Sequence, residues 1–373
     1  MSYDEVLLVT GYPFFRARKM VDQLLQTQPK SLVYVIAREK FGDEVAQHLD
    51  GLPTQERERL VVLDGDAAAM DLGLSGREYR ELAGKVERVH HCAQVTYPGV
   101  GRRMAAEVNV GATREIVEFG RCCAVLKSIV MHSTAAVSGD RTGVVYEHEL
   151  NVGQGFRTPV EESLARAERI ARNAMSSLPI SVIRPTQIVG DSATGEVDRL
   201  DGPYMMTLVM LSGPSEMAVP LPTRGDAPLN LVPIDFVVRA AQHIARLPAA
   251  LGRTVHLADP NPLTARQVFE LVARASGRKL ATRFIPTGIA KAVLGVPGLH
   301  LVSKNQRAMV DLLATNVRYD TSQADELLRG TGIHCPSLDS YIDHLVSFVR
   351  RRVDEGRARA DLGRLGVPLG KAG

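Results

Sequence analysis

The chain has 373 residues, of which 45% are hydrophobic and 23% are charged, and its formal net charge is +3. This length is enough to bury a sizeable core, and the composition is typical of a globular protein rather than a disordered one. The small net charge gives no reason to expect a nucleic-acid partner. No apolar run reaches the roughly 18 residues that a membrane span requires, so we expect no membrane span.

The four cysteines (Cys92, Cys122, Cys123 and Cys335) have no metal-ligand spacing. Two of them are adjacent, so a set of disulfides is not expected. The first residues are polar and acidic, and the apolar run after them is too short for a signal peptide. We therefore expect a cytoplasmic protein with no metal site.

The first part of the chain alternates Val- and Ile-rich runs with amphipathic stretches, the pattern of a buried parallel sheet covered by helices. Helices are predicted from the first turn to about Gln26, around Ala105–Phe119 and from about Thr158 to Ser176. Strands are predicted at Glu5–Thr10, Ser31–Ala37, Leu60–Leu63, Val86–His91, Ser128–His132 and Ser181–Arg184.

After Gly190 the pattern changes. Residues 191–229 are rich in Gly, Pro, Met and Ser and predict an insertion that leaves the sheet. Leu231–Ile234 and Thr254–Leu257 are predicted to return to the sheet as strands. The chain from Thr264 onward is predicted to be mainly helical, and residues 357–373 to be frayed.

These patterns predict an α/β protein with a Rossmann-type doubly wound parallel sheet and a smaller, mainly helical C-terminal substrate or cap subdomain. Residues 1–190 and about 230–258 would form the Rossmann-type domain. Residues 191–229 and about 259–350 would form the cap, and residues 351–373 a basic, flexible tail.

The first strand leads into a turn where a glycine-rich phosphate loop would lie. In such a loop the first glycine makes the turn, the second admits the pyrophosphate and the third lets helix and strand pack closely. Here Gly11 keeps the first position, Tyr12 follows it, Phe14 takes the second position and Ala17 the third. A ring at Phe14 would occupy space near the phosphates, so an ordinary strand–helix turn is an equally good interpretation.

The second strand is followed by Arg38, with Lys40 close behind. An acid at this point would accept from the ribose 2′-hydroxyl of NAD, whereas an arginine accommodates the 2′-phosphate of NADP. The sequence therefore predicts NADP as the cofactor, if a dinucleotide binds at all. A surface arginine at the end of a strand is the alternative.

Further motifs follow the later strands in a fixed order. They are Asp64–Asp66, His91–Ala93, Asn109–Thr113, Ser133–Ala135, Arg184–Asp191 and Leu231–Val237. With them the chain resembles the extended short-chain dehydrogenase/reductases, and most closely the branch of fatty acyl-CoA reductases and thioester reductases. The resemblance covers roughly residues 5–350, and the segment from Tyr319 to Tyr341 is similar to the C-terminal cap of that branch.

The resemblance implies a role for each matching residue. Asp66 would contact the adenine, Ala93 would lie along the nicotinamide, and Asn109 would steady the catalytic lysine through water. Ser133 or Thr134 would hydrogen-bond the substrate carbonyl or hydroxyl. The segment with Pro185 and Ile188 would line the nicotinamide. Asp66 as the cap of a turn, and Ser133 as the end of a strand, remain alternatives.

The catalytic dyad of this family is missing. The family places a tyrosine four residues before a lysine on one helix, and the lysine lowers the pKa of the tyrosine so that it can transfer a proton. Phe156, Ser163 and Glu168 match the surrounding frame, but the tyrosine and lysine positions hold Val160 and Leu164. Neither side chain can carry a proton.

No neighbouring frame restores the dyad. The only tyrosine between Ser133 and Arg184 is Tyr146, and no lysine occurs between Lys127 and Lys279. Four side chains remain as substitute acids, although each is more often a surface or loop residue. They are His132, His148, Glu161 and Glu162.

Two functional hypotheses follow. The first is a catalytically degenerate member that acts as a nucleotide- or ligand-binding, regulatory or scaffolding module, with no cofactor or with a bound NADP that it does not use. The second is an NADP-dependent reductase of an acyl thioester, aldehyde or ketone with an unconventional acid. An epimerase- or dehydratase-like use of the fold would also need the tyrosine and ranks last.

Three kinds of partner remain open. The resemblance implies a homodimer that pairs the helix of Asn109 with the helix from about Thr158, and a separate protein partner is the second. The third is a small-molecule or acyl ligand in an apolar pocket built by residues 191–229, where the alternative is that methionines simply fill an adaptable core. The residues in question are Pro203, Tyr204, Met205, Met206, Met210 and Met217.

Overall fold

The computed structural model describes residues 3–97, 99–200, 204–212, 219–221, 224–284 and 315–364. The chain divides into two compact units. The first comprises Met1–Gln187, Ile234–Pro260 and Tyr319–Cys335, and the second Ile188–Pro233, Asn261–Arg318 and Pro336–Gly373. The sequence predicts the segment Tyr319–Cys335 within the cap, whereas in the structure it packs with the first unit.

The strands in chain order are β1 (Glu5–Thr10), β2 (Ser31–Ala37), β3 (Leu60–Asp64), β4 (Arg88–His91), β5 (Ser128–His132), β6 (Gly143–Val145), β7 (Ile180–Pro185), β8 (Gln187–Val189), β9 (Val219–Leu221), β10 (Leu231–Pro233), β11 (Thr254–Leu257), β12 (Leu280–Phe284) and β13 (Val317–Tyr319).

Seven of these strands form one sheet in the order β11-β7-β5-β4-β1-β2-β3. Every pair in this sheet is parallel. The sheet confirms the predicted doubly wound α/β class, because the chain moves outward from β1 through β2 and β3 and then through β4, β5 and β7 on the other side. All five residues of β5 are buried, which agrees with its unbroken apolar pattern.

The helices in chain order are α1 (Phe15–Thr27), α2 (Gly42–Gly51), α3 (Thr54–Arg57), α4 (Gly76–Ala83), α5 (Arg102–Ala105), α6 (Ala112–Cys122), α7 (Pro159–Ala174), α8 (Tyr204–Ser212), α9 (Ile234–Ile244), α10 (Ala265–Ala275), α11 (Ser322–Leu328) and α12 (Ile342–Arg364).

The helix that carries the dyad positions, α7, begins as its sequence indicates. The Thr158 side chain accepts a hydrogen bond from the backbone N–H of Glu161, and Pro159 follows in the first turn. Both features favour a helix start, because the cap satisfies a free N–H and proline presets the helical φ. The side chains of Ala167, Ala171 and Ala174 pack with the cluster that covers one face of the sheet.

The helix that carries Asn109 differs from the prediction of one continuous α-helix. A π-helical stretch, Ala106–Gly111, lies between α5 and α6. Asn109 is buried within it, and π-bulges of this kind occur often at functional sites.

The second unit has its own apolar core. Val268 and Phe269 of α10, together with Ile342 and Leu345 of α12, are buried in it. A capping box in which Thr264 and Gln267 bond each other's backbone N–H groups defines the start of α10. Tyr204 and Met210 of α8 are also buried in this core. The predicted pocket residues Pro203 and Met217 lie outside the described residues, as do the side chains of Met205 and Met206.

The structure corrects the predicted place of Leu231–Pro233 and the predicted end of the C-terminal helix. Leu231–Pro233 does not return to the main sheet but pairs with Gln187–Val189 in a separate two-stranded sheet. Thr254–Leu257 does return, as the edge strand beside β7. The C-terminal helix continues to Arg364, beyond the predicted fraying point, and residues 365–373 lie outside the described residues.

Candidate functional site

The carboxyl ends of the parallel strands meet at one edge of the sheet. Thr10, the last residue of β1, pairs in register with His91, the last residue of β4. At the other side of β4, His132 of β5 pairs with Ile183 of β7. The segments that follow these strands are therefore neighbours, and this edge is where open α/β sheets bind ligands.

Gly11 makes the turn after β1, and only glycine fits there. Its φ is +84°, and a Cβ atom on it would lie 2.7 Å from backbone atoms of Cys92 and Ala93. The left-handed φ and the close approach of the β4 end both exclude a side chain. The turn at Gly11 thus has the tight, side-chain-free geometry that the sequence predicts for this position.

The residue after this glycine is held by a chain of three side chains. The Tyr12 hydroxyl lies 2.7 Å from Nδ1 of His48, and Nε2 of the same histidine lies 2.7 Å from a carboxylate oxygen of Asp22. Tyr12 is buried. Its hydroxyl therefore ties the turn to α2 and α1 and is directed into the protein, a contact that the sequence did not reveal.

The Phe14 ring lies on the surface beside a second ring. Phe14 is 56% exposed, and its ring meets that of Phe41 edge-on with the centroids 5.0 Å apart. Phe41 ends the short 3-10 helix Glu39–Phe41 that follows β2. Ala17, at the third glycine position, is fully buried, so the helix packs closely against the sheet as a glycine there would allow.

The first turn of α1 carries no acidic residue, and no side chain caps its N-terminus. A helix N-terminus of this kind attracts anions through its free N–H groups and its dipole. Among the nearby cations, Arg16 donates to the carbonyl oxygens of His132 and Ser133 at 3.2 and 3.5 Å. Arg18 and Lys19 lie near the ring of Phe15.

Arg38 and Asp66 lie together beyond the ends of β2 and β3. Their side chains form an ion pair at 3.4 Å and are 48% and 35% exposed. The other carboxylate oxygen of Asp66 accepts from the backbone N–H of Ala68 at 3.0 Å. The two residues predicted to contact the 2′-phosphate and the adenine therefore lie side by side and in contact with solvent.

Ala93 lies at the end of β4, next to a row of buried polar groups. Its N–H lies 3.3 Å from the Thr10 hydroxyl, which is 2.8 Å from Nδ1 of His91. On the far side of this ring, Nε2 lies 3.4 Å from the Thr113 hydroxyl, which donates to the carbonyl oxygen of Asn109. Burial lowers the pKa of His91 to about 3, so this imidazole is neutral near pH 7.

Asn109 has a positioning role that does not involve a lysine. Its amide oxygen accepts from the N–H of Val95 at 2.7 Å, and its amide nitrogen donates to the carbonyl of Val95 and to the Ser163 hydroxyl at 3.0 and 2.9 Å. The residue thus fixes the loop after β4 to α7. The lysine that the resemblance would have it steady is replaced by Leu164.

Val160 and Leu164 are enclosed within the first unit. Only 2% and 1% of their surfaces are exposed. They pack in one apolar cluster, whose residues come from the segments after β4 and β5 and from the first part of α7. Its other members are Val100, Ala105, Val137, Leu150 and Ala165, with Val95, Tyr97 and Phe156 against it. A side chain this well covered does not border open space, so the dyad positions are filled as well as chemically inert.

Of the two hydroxyls predicted to bind substrate, only one is accessible. The buried Ser133 hydroxyl donates to a carboxylate oxygen of Glu168 at 2.6 Å. Glu168 forms a buried ion pair with Arg184, whose Nε lies 2.9 Å from the same oxygen. Thr134 is partly exposed, and its hydroxyl oxygen accepts from the N–H of Ala136, which leaves the hydroxyl proton for another acceptor.

A second buried carboxylate lies on the far side of Arg184. Glu147 accepts from the backbone N–H groups of His256, Gln323 and Ala324 at 2.8, 2.7 and 3.2 Å. Burial raises the pKa of Glu147 to about 7. This carboxylate attaches the segment Tyr319–Cys335 to the sheet, which explains why the segment belongs to the first unit.

The four substitute acids have other partners or the wrong protonation. Burial lowers the pKa of His132 well below its usual value, so the ring is neutral near pH 7 and is a poor general acid. Glu161 accepts from the backbone N–H of Arg157, and Glu162 pairs with Arg102. The His148 ring stacks on that of Tyr146.

Gln94 and His90 are two polar residues of this edge that the sequence does not single out, because neither belongs to a motif. Both atoms of the Gln94 amide, just after Ala93, are buried without a hydrogen-bond partner among the described residues. Nδ1 of His90 lies 3.3 Å from Nε2 of His132, and the outer nitrogen of each ring is equally unpartnered. Unpaired buried groups are rare, and a ligand or water usually completes them.

The remaining predicted cofactor residues lie at or after the end of β7. Pro185 is the last residue of that strand and pairs in register with Leu257, whereas Ile188 belongs to the short strand β8 in the second unit. Across the described ranges, no group of three His, Cys, Asp or Glu side chains is placed to hold a metal ion. None of the helices in these ranges is long and apolar enough to cross a membrane.

The sheet and its carboxyl edge define a Rossmann-type fold. A family model described as male sterility protein, an NAD-binding domain, matches residues 9–241. The chain belongs to this NAD-binding family, and within it to the fatty acyl-CoA reductase-like branch, as the motifs of the sequence predict.

The similar proteins are distant in sequence. Fatty acyl-CoA reductase wat of Drosophila melanogaster is 23% identical over 277 residues, which are 64% of this chain and 53% of that protein. This chain thus spans about half the length of that relative. Probable fatty acyl-CoA reductase 4 of Arabidopsis thaliana is 21% identical over 73% of this chain and 70% of its own.

Solved structures support the fold. The terminal R domain from the myxalamid PKS-NRPS biosynthetic pathway superposes with a TM-score of 0.79 at 23% identity, over 93% of this chain and 91% of that domain. The UDP-glucuronic acid 4-epimerase from Bacillus cereus, solved with NAD, gives a TM-score of 0.67 at 16% identity, over 93% and 97%.

Proposed function

We propose that this chain is a catalytically degenerate member of its family that binds a nucleotide or another ligand as a regulatory or scaffolding module. The observation that carries the proposal is the burial of Val160 and Leu164 in an apolar cluster at the dyad positions. A missing acid in an open cleft could be replaced by water or by a neighbouring side chain. Packed apolar side chains around both positions leave no room for a water molecule or a substitute side chain.

The ligand that the site favours is a phosphorylated nucleotide. Gly11 keeps the turn, the start of α1 is free of carboxylates, and Arg38 stands where an NADP-preferring protein places its cation. The preference for NADP over NAD, and the roles of the other cofactor residues, belong to this proposal. A cytoplasmic location, a homodimer and a separate protein partner remain predictions from the sequence.

The test separates binding from turnover. Calorimetric titration of the purified chain with NADPH and NADH measures binding, and absorbance at 340 nm follows NADPH oxidation with acyl thioesters, aldehydes and ketones. Because packed apolar side chains occupy the dyad positions and a proton relay alone contributes roughly 10²–10⁴-fold to rate, we expect no oxidation above the no-enzyme background. NADPH oxidation that depends on both the protein and the substrate refutes the degenerate state.

An NADP(H)-dependent reductase of an acyl thioester, aldehyde or ketone is the second candidate. The observation in its favour is the Thr134 hydroxyl, which is partly exposed and has its proton available for a substrate carbonyl. Thr134→Val and Ser133→Ala provide a matched pair of variants, because the Ser133 hydroxyl is already committed to Glu168. This candidate requires measurable turnover that the Thr134 variant abolishes and the Ser133 variant retains in the folded protein.

A further inference from the structure

The two ends of the dinucleotide site differ in how open they are. At the ends of β1 and β2, Phe14 is 56% exposed, and the side chains of Arg38 and Asp66 are 48% and 35% exposed. At the dyad positions, Val160 and Leu164 are 2% and 1% exposed. A complete site would present surface at both ends, because one extended ligand has to contact both.

We propose that the site is an adenosine half-site, which binds an adenosine with a 5′-phosphate and a second phosphate on the ribose, and which does not recognise a nicotinamide ring. This inference rests on the proposed function and names the ligand class of the same site. A nucleotide bound in this way would be a signal or an anchor that the protein recognises, and not a hydride donor.

The charges at the open end fit two phosphates. The 5′-phosphate would lie at the start of α1, where the free N–H groups of the first turn meet no carboxylate. The second phosphate would lie at Arg38, whose only ion pair among the described residues is the long 3.4 Å contact with Asp66. A phosphate oxygen between them would replace this weak contact by a charge-assisted hydrogen bond from the guanidinium.

The aromatic residues fit the base. The Phe14 ring contacts Phe41 edge-on and keeps more than half of its surface free for stacking. The Lys40 ammonium lies over the Phe41 ring, 4.8 Å from its centroid, so a positive charge stands beside this aromatic pair. Stacking of a base on an aromatic side chain adds to affinity whatever the base, because every base has a π-face.

The closed end cannot add to the affinity. A nicotinamide ribose in the family's position would have to displace the packed side chains around Val160 and Leu164. Opening a packed cluster exposes apolar surface to water, which is unfavourable. The nicotinamide half of NADPH would therefore remain in solvent, and the adenosine half alone would set the dissociation constant.

The experiment compares ligands on the full chain by calorimetry, with 2′,5′-ADP, 3′,5′-ADP, 5′-ADP and NADPH as probes. We expect NADPH and 2′,5′-ADP to bind with dissociation constants within about threefold of each other, and 5′-ADP to bind at least tenfold more weakly. The preferred bisphosphate identifies the source, because the 2′-phosphate belongs to NADP and the 3′-phosphate to coenzyme A. An NADPH affinity tenfold above that of both bisphosphates overturns the proposal, as does the absence of binding by every probe at millimolar concentration.

Variants locate the site. Arg38→Ala is expected to weaken the better bisphosphate at least tenfold, and Phe14→Ala to weaken it about fivefold or more, since one stacking contact is lost. Arg77→Ala is the control, because Arg77 is an exposed arginine of α4 paired with Glu81. Equal affinities in all three variants contradict the assignment.

The outcomes also separate this inference from the proposed function. NADPH oxidation with a thioester or carbonyl substrate refutes the degenerate state. Bisphosphate binding without an added contribution from nicotinamide supports the half-site, and a strong contribution from nicotinamide without turnover overturns the half-site alone.

Discussion

At the residue scale, the two dyad positions matter through packing as well as through chemistry. Val160 and Leu164 lie four residues apart on α7, so both face the same neighbours. A tyrosine and a lysine in their place would need water or a cofactor nearby to remain charged or reactive. The apolar cluster around both residues removes that solvent, so the substitutions and their surroundings agree with each other.

Leu164→Lys tests this packing directly. An ammonium placed at a position that is 1% exposed loses its hydration among packed apolar side chains. We expect the free energy of unfolding to fall by about 3 kcal/mol or more, as for other uncompensated buried charges. Urea titration followed by circular dichroism measures the change.

Leu164→Met is the matched control, because it conserves volume and should cost less than about 1.5 kcal/mol. A cost for Leu164→Lys below about 1 kcal/mol would mean that position 164 borders an open cleft, and the account of a filled site would then be wrong.

At the scale of elements, one buried ion pair joins β5, α7 and β7. Glu168 on α7 accepts from Ser133 at the end of β5 and from Arg184 on β7. The Arg184 guanidinium also donates to the carbonyl oxygens of Glu147 and Glu149. Charge-assisted hydrogen bonds therefore hold the carboxyl ends of β5 and β7 to α7.

Two substitutions in this network should differ in their effect on stability. Ser133→Ala removes one hydrogen bond to a charged group and should cost about 1.5–3 kcal/mol. Glu168→Gln leaves the buried Arg184 without its counter-charge and should cost about 3–5 kcal/mol. Chemical denaturation of both variants measures the order, and an equal or reversed order contradicts the assignment of Glu168 as the centre of the network.

The strands and helices also show which parts of the fold the sequence predicts and which it does not. The seven-stranded sheet was predictable because long Val- and Ile-rich runs alternate with amphipathic helices. Leu231–Pro233 was placed in the wrong sheet, since a run of three apolar residues does not specify which strand edge it joins. The capture of Ser133 by Glu168 was not predictable, because the two residues are 35 positions apart and each fits a family motif alone.

At the scale of the whole molecule, the first unit holds all of the predicted catalytic and cofactor residues except Ile188, which belongs to the second unit. The motifs predicted which strand ends would carry these residues, because the carboxyl ends of parallel strands share one edge. They could not predict the exposure of Phe14 or the enclosure of Leu164, which depend on side chains from distant loops. The contrast between an open and a closed end is thus a property of the fold and is not visible in any one motif.

The buried histidines predict how stability depends on pH. Burial lowers the pKa of His90, His91 and His256 to about 3, and that of His132 well below its usual value. Because these folded-state pKa values are lower than the unfolded value of about 6.5, the unfolded chain binds more protons below pH 6.5. Stability is therefore fully present above pH 6.5 and is lost as the pH falls toward 3.

Each histidine contributes up to about 1.4 kcal/mol per pH unit in this range. Glu147, whose pKa is raised to about 7, and Glu161, whose pKa is also raised by burial, act in the opposite sense above their unfolded values. Four histidines outweigh two carboxyls, so we expect the free energy of unfolding in urea to fall between pH 6.5 and 5. His90→Gln should reduce the slope and the exposed His148→Gln should not; equal slopes in both variants would contradict the assignment.

The central claim is that this chain does not transfer a hydride, and isotope transfer tests it most directly. The full chain is incubated overnight, in excess over substrate, with NADPH deuterated at the transferred C4 position and with an acyl thioester or its aldehyde, and the products are analysed by mass spectrometry. We expect no deuterium in any reduced product above the protein-free control. Deuterium in the aldehyde or alcohol that depends on the protein would contradict it.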